Sequence, residues 1–115
     1  MIEKKIKIMK TFKQKKYSNL INNYLNKLFI LENKYIFKNI FITVIYVYIN
    51  KIFSYSNIYV TIYPDIYQKS INKFLNIKRK YYKKKLSLIF KNKYRVPDIY
   101  FFLSNNKILN FINNY

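Results

Sequence analysis

The chain contains no cysteine, histidine, glycine, alanine or tryptophan, only two prolines, and only four acidic residues, Glu3, Glu32, Asp65 and Asp98. Each absence removes a class of chemistry. Without cysteine there are no disulfides, thiolate metal ligands or thiol nucleophiles. Without histidine as well, the common general-base and nucleophilic constellations lack their central members. Without glycine, a phosphate-binding loop or a dinucleotide fingerprint cannot be built. The four carboxylates fall in no recognisable catalytic or metal-binding spacing. Asp65 reads as a helix N-terminal residue and Glu32 as a helix-end charge. The expectation is a binder rather than an enzyme, with neither cofactor nor metal.

What is abundant is positive charge. Lys and Arg total 23 against the four acids, a formal net charge of +19 in 115 residues. Such a chain repels itself until a polyanion neutralises it. Nucleic acid is the first candidate and an anionic membrane surface the second. High charge alone also accompanies disorder, but 51% of the residues are hydrophobic and 21% aromatic, which argues for folding. A chain of this length makes one domain and buries roughly two-thirds of its unfolded surface. Lys, Asn, Ile, Tyr and Phe dominate, and all have AT-rich codons. The sign of the charge is therefore informative and its size inflated. Met1 to Lys16 is basic but has no apolar core before a small-residue cleavage site. The most apolar stretch, Ile40 to Ile49, is too short to cross a bilayer as a helix. No membrane span is expected, and the location expected is cytoplasmic, or the interior of an organelle.

Periodicity sets the order of elements. Thr11 to Leu31 reads as a helix, with Tyr17, Leu20, Ile21, Tyr24, Leu25 and Leu28 on one buried stripe. Asn22, Asn23, Asn26 and Lys27 fall opposite. Thr11 and Gln14 have capping-box spacing. Asn39 to Ile49 and Ser54 to Tyr63 read as strands joined by a hairpin at Asn50 to Phe53. Pro64 and Asp65 end the pair and open a helical region that runs to about Lys91. Tyr94 to Leu103 is a third strand, with Pro97 near its start. Alternation along the strands means that Tyr46, Tyr48, Tyr59, Tyr63, Tyr100 and Phe102 cannot all share one core. The tail from Ile108 to Tyr115 is a candidate cover for those left outside. The organisation expected is a basic arm over 1–10, one α+β domain over 11–104 with a three-stranded sheet and helices on one face, and a tail over 105–115.

The densest basic run is Lys78, Arg79, Lys80, Tyr81, Tyr82, Lys83, Lys84 and Lys85, followed by Lys91, Lys93 and Arg95. Cationic side chains neutralise phosphates and release counterions, and Tyr81 or Tyr82 could stack on unpaired bases. The opposing interpretation places Tyr82 in the core and leaves the lysines as a solvated helix face. The candidate RNA-binding set is Lys78, Arg79, Lys80, Tyr81, Lys83, Lys84, Lys85, Lys91, Lys93 and Arg95. The N-terminal lysines, Lys4 to Lys16, form a second and less specific cluster.

Two segments carry a family resemblance. Ser54-Tyr55-Ser56-Asn57-Ile58-Tyr59-Val60-Thr61-Ile62 resembles the second strand of ribosome-binding factor A. Lys93-Tyr94-Arg95-Val96-Pro97-Asp98-Ile99-Tyr100-Phe101-Phe102 resembles that family's last strand, in which a basic residue precedes Pro, an acid, Leu and alternating Phe. Tyr17 to Glu32 is similar to its first helix, and the likeness spans about residues 15 to 106. The resemblance implies a type II KH-like domain, α-β-β-α-α-β, acting in late maturation of the small ribosomal subunit. Its partners would be that subunit and its rRNA, bound as a monomer, with no small-molecule substrate. The family carries an Ala-x-Gly kink between its middle helices where this chain has Lys78 to Tyr81. Either Tyr82 packing preserves the kink or the helices straighten, and the close backbone approach to phosphate that glycine permits would be replaced by charge. Rival readings are a permanent structural ribosomal protein and a basic membrane-surface protein.

Overall fold

A computed structural model describes residues 8–91 and 95–104. Thr11 caps the first helix, α1 (Phe12–Tyr35). Its hydroxyl accepts the Gln14 N–H at 3.1 Å, while the Gln14 side chain accepts the Thr11 N–H at 3.0 Å. This is the capping box its spacing predicts. The helix runs a turn beyond the expected end at Leu31. Two strands follow, β1 (Phe41–Ile49) and β2 (Tyr55–Tyr63), paired antiparallel. A short 3-10 turn at Asp65–Tyr67 leads into α2 (Gln68–Ile77), then α3 (Arg79–Phe90), and last β3 (Asp98–Leu103). β3 pairs parallel to β2, so the mixed sheet has the order β1-β2-β3. The α-β-β-α-α-β layout matches expectation. The third strand is shorter than Tyr94 to Leu103, because Pro97 cannot donate to a ladder and pairing begins at the next residue.

The three helices share one face of the sheet. Ile42, Val44, Val47, Ile49, Ile58, Val60, Ile62, Ile99 and Phe101 face Tyr17, Ile21, Leu25, Phe29, Leu75, Tyr82, Leu86 and Phe90 in one apolar cluster. β1 is apolar almost throughout, and its alternation is set by a bulge. The register slips between Val44 and Tyr46, leaving Ile45 over. Slender Val47 and Ile49 thus point to the helices, and bulky Tyr46 and Tyr48 point away. The opposite face is an aromatic layer. Tyr59 lies 5.6 Å from Phe102 and 6.0 Å from Tyr46, and Tyr48 lies 6.1 Å from Tyr55. The six aromatics therefore do not share the helix-facing core. Tyr59 and Tyr48 are nonetheless buried, whereas Tyr63 is exposed. The segment expected to cover them, Ile108 to Tyr115, lies outside the described residues.

The stripe on α1 differs from the expected one. Leu20 is exposed, while Gln14, Ser18 and Glu32 are buried with Tyr17, Ile21, Leu25 and Phe29. The reason is the open edge of β1. An edge strand presents unpaired backbone groups, and α1 lies along them. Gln14 donates to the Ile49 carbonyl at 2.8 Å, and Ser18 donates to the Val47 carbonyl. Asn26, assigned by periodicity to the far face, instead clamps Val44 twice, donating to its carbonyl at 3.1 Å and accepting its N–H at 2.7 Å. Asn76 of α2 does the same to Phe101 on the other edge, at 2.9 and 2.8 Å.

Among the described residues three that are not glycine take left-handed φ, namely Asn39 at 62°, Phe53 at 60° and Lys91 at 44°. Such a conformation costs roughly 1–2 kcal/mol for most residues, and Asn bears it best. Lys91 ends α3 in the position where glycine is usual. Phe53 offsets its cost by burial, its ring 5.6 Å from Tyr17 and 6.4 Å from Phe90. A glycine-free chain thus still makes the turns that glycine ordinarily serves.

Candidate nucleic-acid interface

The basic run lies on α3 and on the residue before it. Lys78 separates α2 from α3 with φ −93° and ψ 19°, a bridge conformation open to any residue. The helices therefore remain two elements without glycine, and they do not straighten into one. Tyr82, one turn on, is buried between Phe29 at 5.5 Å and Phe101 at 5.6 Å. It belongs to the core and is not available to stack on a base.

The remaining candidates point in three directions rather than one. Lys80 and Lys84 stand four residues apart on the outermost row, both exposed, with exposed Leu88 one turn further. Lys78, Tyr81 and Lys85 turn toward the C-terminal end of α1. There the Lys85 ammonium lies 5.5 Å from the Tyr81 ring centre, within range of a cation–π attraction. Arg79 and Lys83 turn toward β3. The Arg79 guanidinium stacks 5.0 Å from the Tyr100 ring, and Lys83 pairs with Asp98 at 2.7 Å. That pair holds the Asp98 carboxyl below its ordinary range, first through the hydrogen bond and then through the charge. Lys91 is exposed at the end of α3, and Arg95 is exposed ahead of β3. Lys93 lies outside the described residues.

Glu32, like Leu20 and Asn26, lies where sequence reasoning did not place it. It is no solvated helix-end charge. It is 6% exposed and accepts two phenol hydroxyls, Tyr82 at 2.8 Å and Tyr81 at 3.1 Å. A buried carboxylate needs such donors. Burial, then the hydrogen bond to Glu32, push both hydroxyls above the ordinary tyrosine range. Tyr81 is still 42% exposed, while Glu32 fixes its hydroxyl. A cavity of about 350 Å³ opens beside it, lined by Ile36, Phe74, Lys78, Tyr81 and Tyr82. No spacing in the sequence announces Glu32 as the partner of two tyrosines almost fifty residues away.

Among the described residues no group of three acids, histidines or cysteines could hold a metal ion, and no helix is long and apolar enough to cross a membrane. The arrangement offers cations on three sides of one helix, a partly exposed tyrosine fixed at its hydroxyl, and an apolar cavity beside that tyrosine. This combination suits an anionic polymer with flat bases. No protein-family model matches the chain, and no curated protein matches it either.

Proposed function

We propose that the chain is an RNA-binding protein of KH-like type that binds the small ribosomal subunit and its rRNA during assembly. The observation that carries the reading is α3, whose Lys80 and Lys84 stand outward while the acid beside that helix on β3, Asp98, is already paired with Lys83. Cations left over in this way favour phosphate contact. The fixed, partly exposed Tyr81 supports a preference for unpaired bases. The ribosomal assignment rests on the resemblance to ribosome-binding factor A, and the element order, the parallel β3 and the break at Lys78 are compatible with it. Several candidates play changed parts. Lys83 acts partly through Asp98, and Arg79 acts from the ring of Tyr100.

The test is a triple substitution, Lys78→Gln with Lys80→Gln and Lys84→Gln. The salt slope of RNA binding, log affinity against log salt, should flatten by about 0.7 for each single-strand phosphate that is no longer neutralised. Circular dichroism should be unchanged. An unaltered slope in the folded variant refutes the role of α3. Sedimentation separates the ribosomal part of the proposal. An assembly factor leaves mature small subunits, whereas a permanent component stays with them.

A further inference from the structure

The β1–β2 turn carries a feature that the basic helix does not explain. Ile52 is 80% exposed in a turn that is firmly held. The Asn50 side-chain oxygen accepts the N–H groups of Ser54 at 2.8 Å and Tyr55 at 3.0 Å, and its amide donates to the Ser54 hydroxyl at 2.6 Å. The Phe53 N–H closes on the Asn50 carbonyl at 3.0 Å. Phe53 turns through a left-handed φ and buries its ring, so its neighbour Ile52 is held out. A cleft opens on each side. One, of about 320 Å³, has Lys13 and Lys51 in its wall, and the other, of about 430 Å³, has Lys83, Arg95, Ser54 and Asp98. Both are in the size range of small-ligand sites.

We propose that this turn is a second RNA contact, in which Ile52 wedges against unpaired bases while the two clefts grip the flanking backbone and base edges. Apolar side chains such as Ile wedge between base steps of duplex DNA at a cost in unstacking, and unpaired bases lack the pairing that resists such insertion. In the larger cleft Arg95 suits phosphate, and Lys83, paired with Asp98 at 2.7 Å, reaches it less freely. Ser54 and the Asp98 carboxylate suit the hydrogen-bonding edge of a base. A lipid surface also attracts apolar residues among lysines, and exposed Phe12 begins α1 at the same end, but the Asp98 carboxylate in the larger cleft has no role there. The inference rests on the RNA-binding reading and deepens it, adding a preference for single-stranded or looped RNA. The turn sits at the end of the molecule where α1 begins and β3 starts, away from the α2–α3 break.

The experiment uses the full chain with a short single-stranded oligoribonucleotide and a blunt RNA duplex. Ile52→Ser should weaken single-strand binding about five- to tenfold, part of one stacking contact. Duplex affinity and the salt slope should hold. Ile52→Leu should restore single-strand binding. Photo-crosslinks from a thiouridine-substituted oligonucleotide should fall on residues 51–53. If the full chain binds neither RNA, the functional reading itself fails. If it binds and Ile52→Ser matches it on both probes, the reading survives and the wedge is overturned. Loss of binding to anionic vesicles with unchanged RNA affinity also overturns it, in favour of a membrane contact.

Discussion

Helices α1 and α3 have much the same apolar spacing, yet they handle polar residues in opposite ways. α1 turns Gln14, Ser18, Asn26 and Glu32 inward or to the sheet edge, where each has a named partner. α3 buries only Tyr82, Leu86 and Phe90 and keeps Lys80 and Lys84 on its exposed outer row. The difference follows from what lies alongside. α1 runs beside the open edge of β1, whose backbone groups need partners, because buried amides and carbonyls left unpaired are costly. α3 packs beside β3, whose edge is clamped at Phe101 by Asn76 of α2, so the polar groups that α3 itself meets are side chains, Glu32 and Asp98. In a composition crowded with Asn and Lys, the polar residues of α1 that face β1 or the core are structural, whereas the cations on the outer row of α3 face solvent.

The largest effect expected from disturbing this contrast is at Tyr82. Tyr82→Phe keeps the ring among Phe29 and Phe101 but strips Glu32 of its shorter hydrogen bond, so the buried carboxylate is left with Tyr81 alone. Hydrogen bonds to charged groups contribute about 1.5–3 kcal/mol, and chemical denaturation should register a loss of that size. The same network gives an alkaline signature. Unfolded tyrosines ionise near pH ~10. Tyr82 and Tyr81 have raised pKa values when folded, so they hold their protons while the unfolded chain sheds them. Their stabilisation is fully present below the unfolded value and drains away as pH rises through the folded one. Phenolate absorbance should therefore show Tyr82 titrating only as the protein unfolds, and Tyr82→Phe should shift the alkaline unfolding midpoint.

A smaller loss is expected at Asn26. Asn26→Ala removes both bonds to Val44 and exposes the β1 edge beside the bulge. One or two partly buried backbone groups lose their partners, at a cost of about 1–2 kcal/mol. A larger sign is aggregation, since an uncovered edge accepts a strand from another chain. Light scattering on heating should rise in Asn26→Ala and stay low in Asn23→Ala, a substitution at an exposed position of the same helix.

This contrast also marks what is legible in advance. The order of elements, the capping box and the hairpin follow from local spacing, which depends on near neighbours, whereas spacing alone leaves Tyr82 open between core and base stacking. The inward Asn26, Gln14 and Ser18 do not follow from it, because their partners lie 18 to 35 residues away and periodicity treats polar residues as outward by default. Glu32 escapes sequence reading for the same reason. The bulge at Ile45 is hidden in an unbroken apolar run, since either register offers apolar residues to the core. The candidate site is legible as a set of cations on one helix. Its division into three directions depends on Glu32, Tyr100 and Asp98, which come from other elements. Ile52 carries no signal in the sequence, because one exposed apolar residue in a turn is ordinary until the turn is known to be rigid.

For the outward lysines of α3 the expected stability effect is close to nothing. Lys80→Gln with Lys84→Gln should leave the unfolding free energy within about 0.5 kcal/mol of the parent, against the larger losses on α1. The two positions should matter only when RNA is present. A large loss of stability would mean that these lysines have structural partners after all, and that the two helices differ less than their burial patterns imply.

The smallest effect belongs to Lys83, the cation of α3 that has an acid for a partner. Lys83 and Asp98 are both solvent-accessible, and exposed pairs contribute little because water and salt screen them. The sign is nevertheless definite. Asp98 has a lowered pKa in the folded protein, chiefly from the Lys83 hydrogen bond. Its contribution is therefore present above the ordinary carboxylate range and is lost as pH falls through the folded value. Lys83→Gln should remove most of this acid-side dependence, leaving the smaller pull of Arg95 and Arg79, and added salt should weaken it further. Asp98→Asn should do the same to stability while acting oppositely on binding. It releases Lys83 and removes a negative charge from the cleft beside Ile52, so phosphate affinity should rise even as the base-edge contact is weakened. A steeper salt slope in Asp98→Asn, read by RNA titration at several salt concentrations, is the expected result. An unchanged slope would mean that Lys83 is held by the fold rather than by Asp98, and would count it with the inward residues of α1.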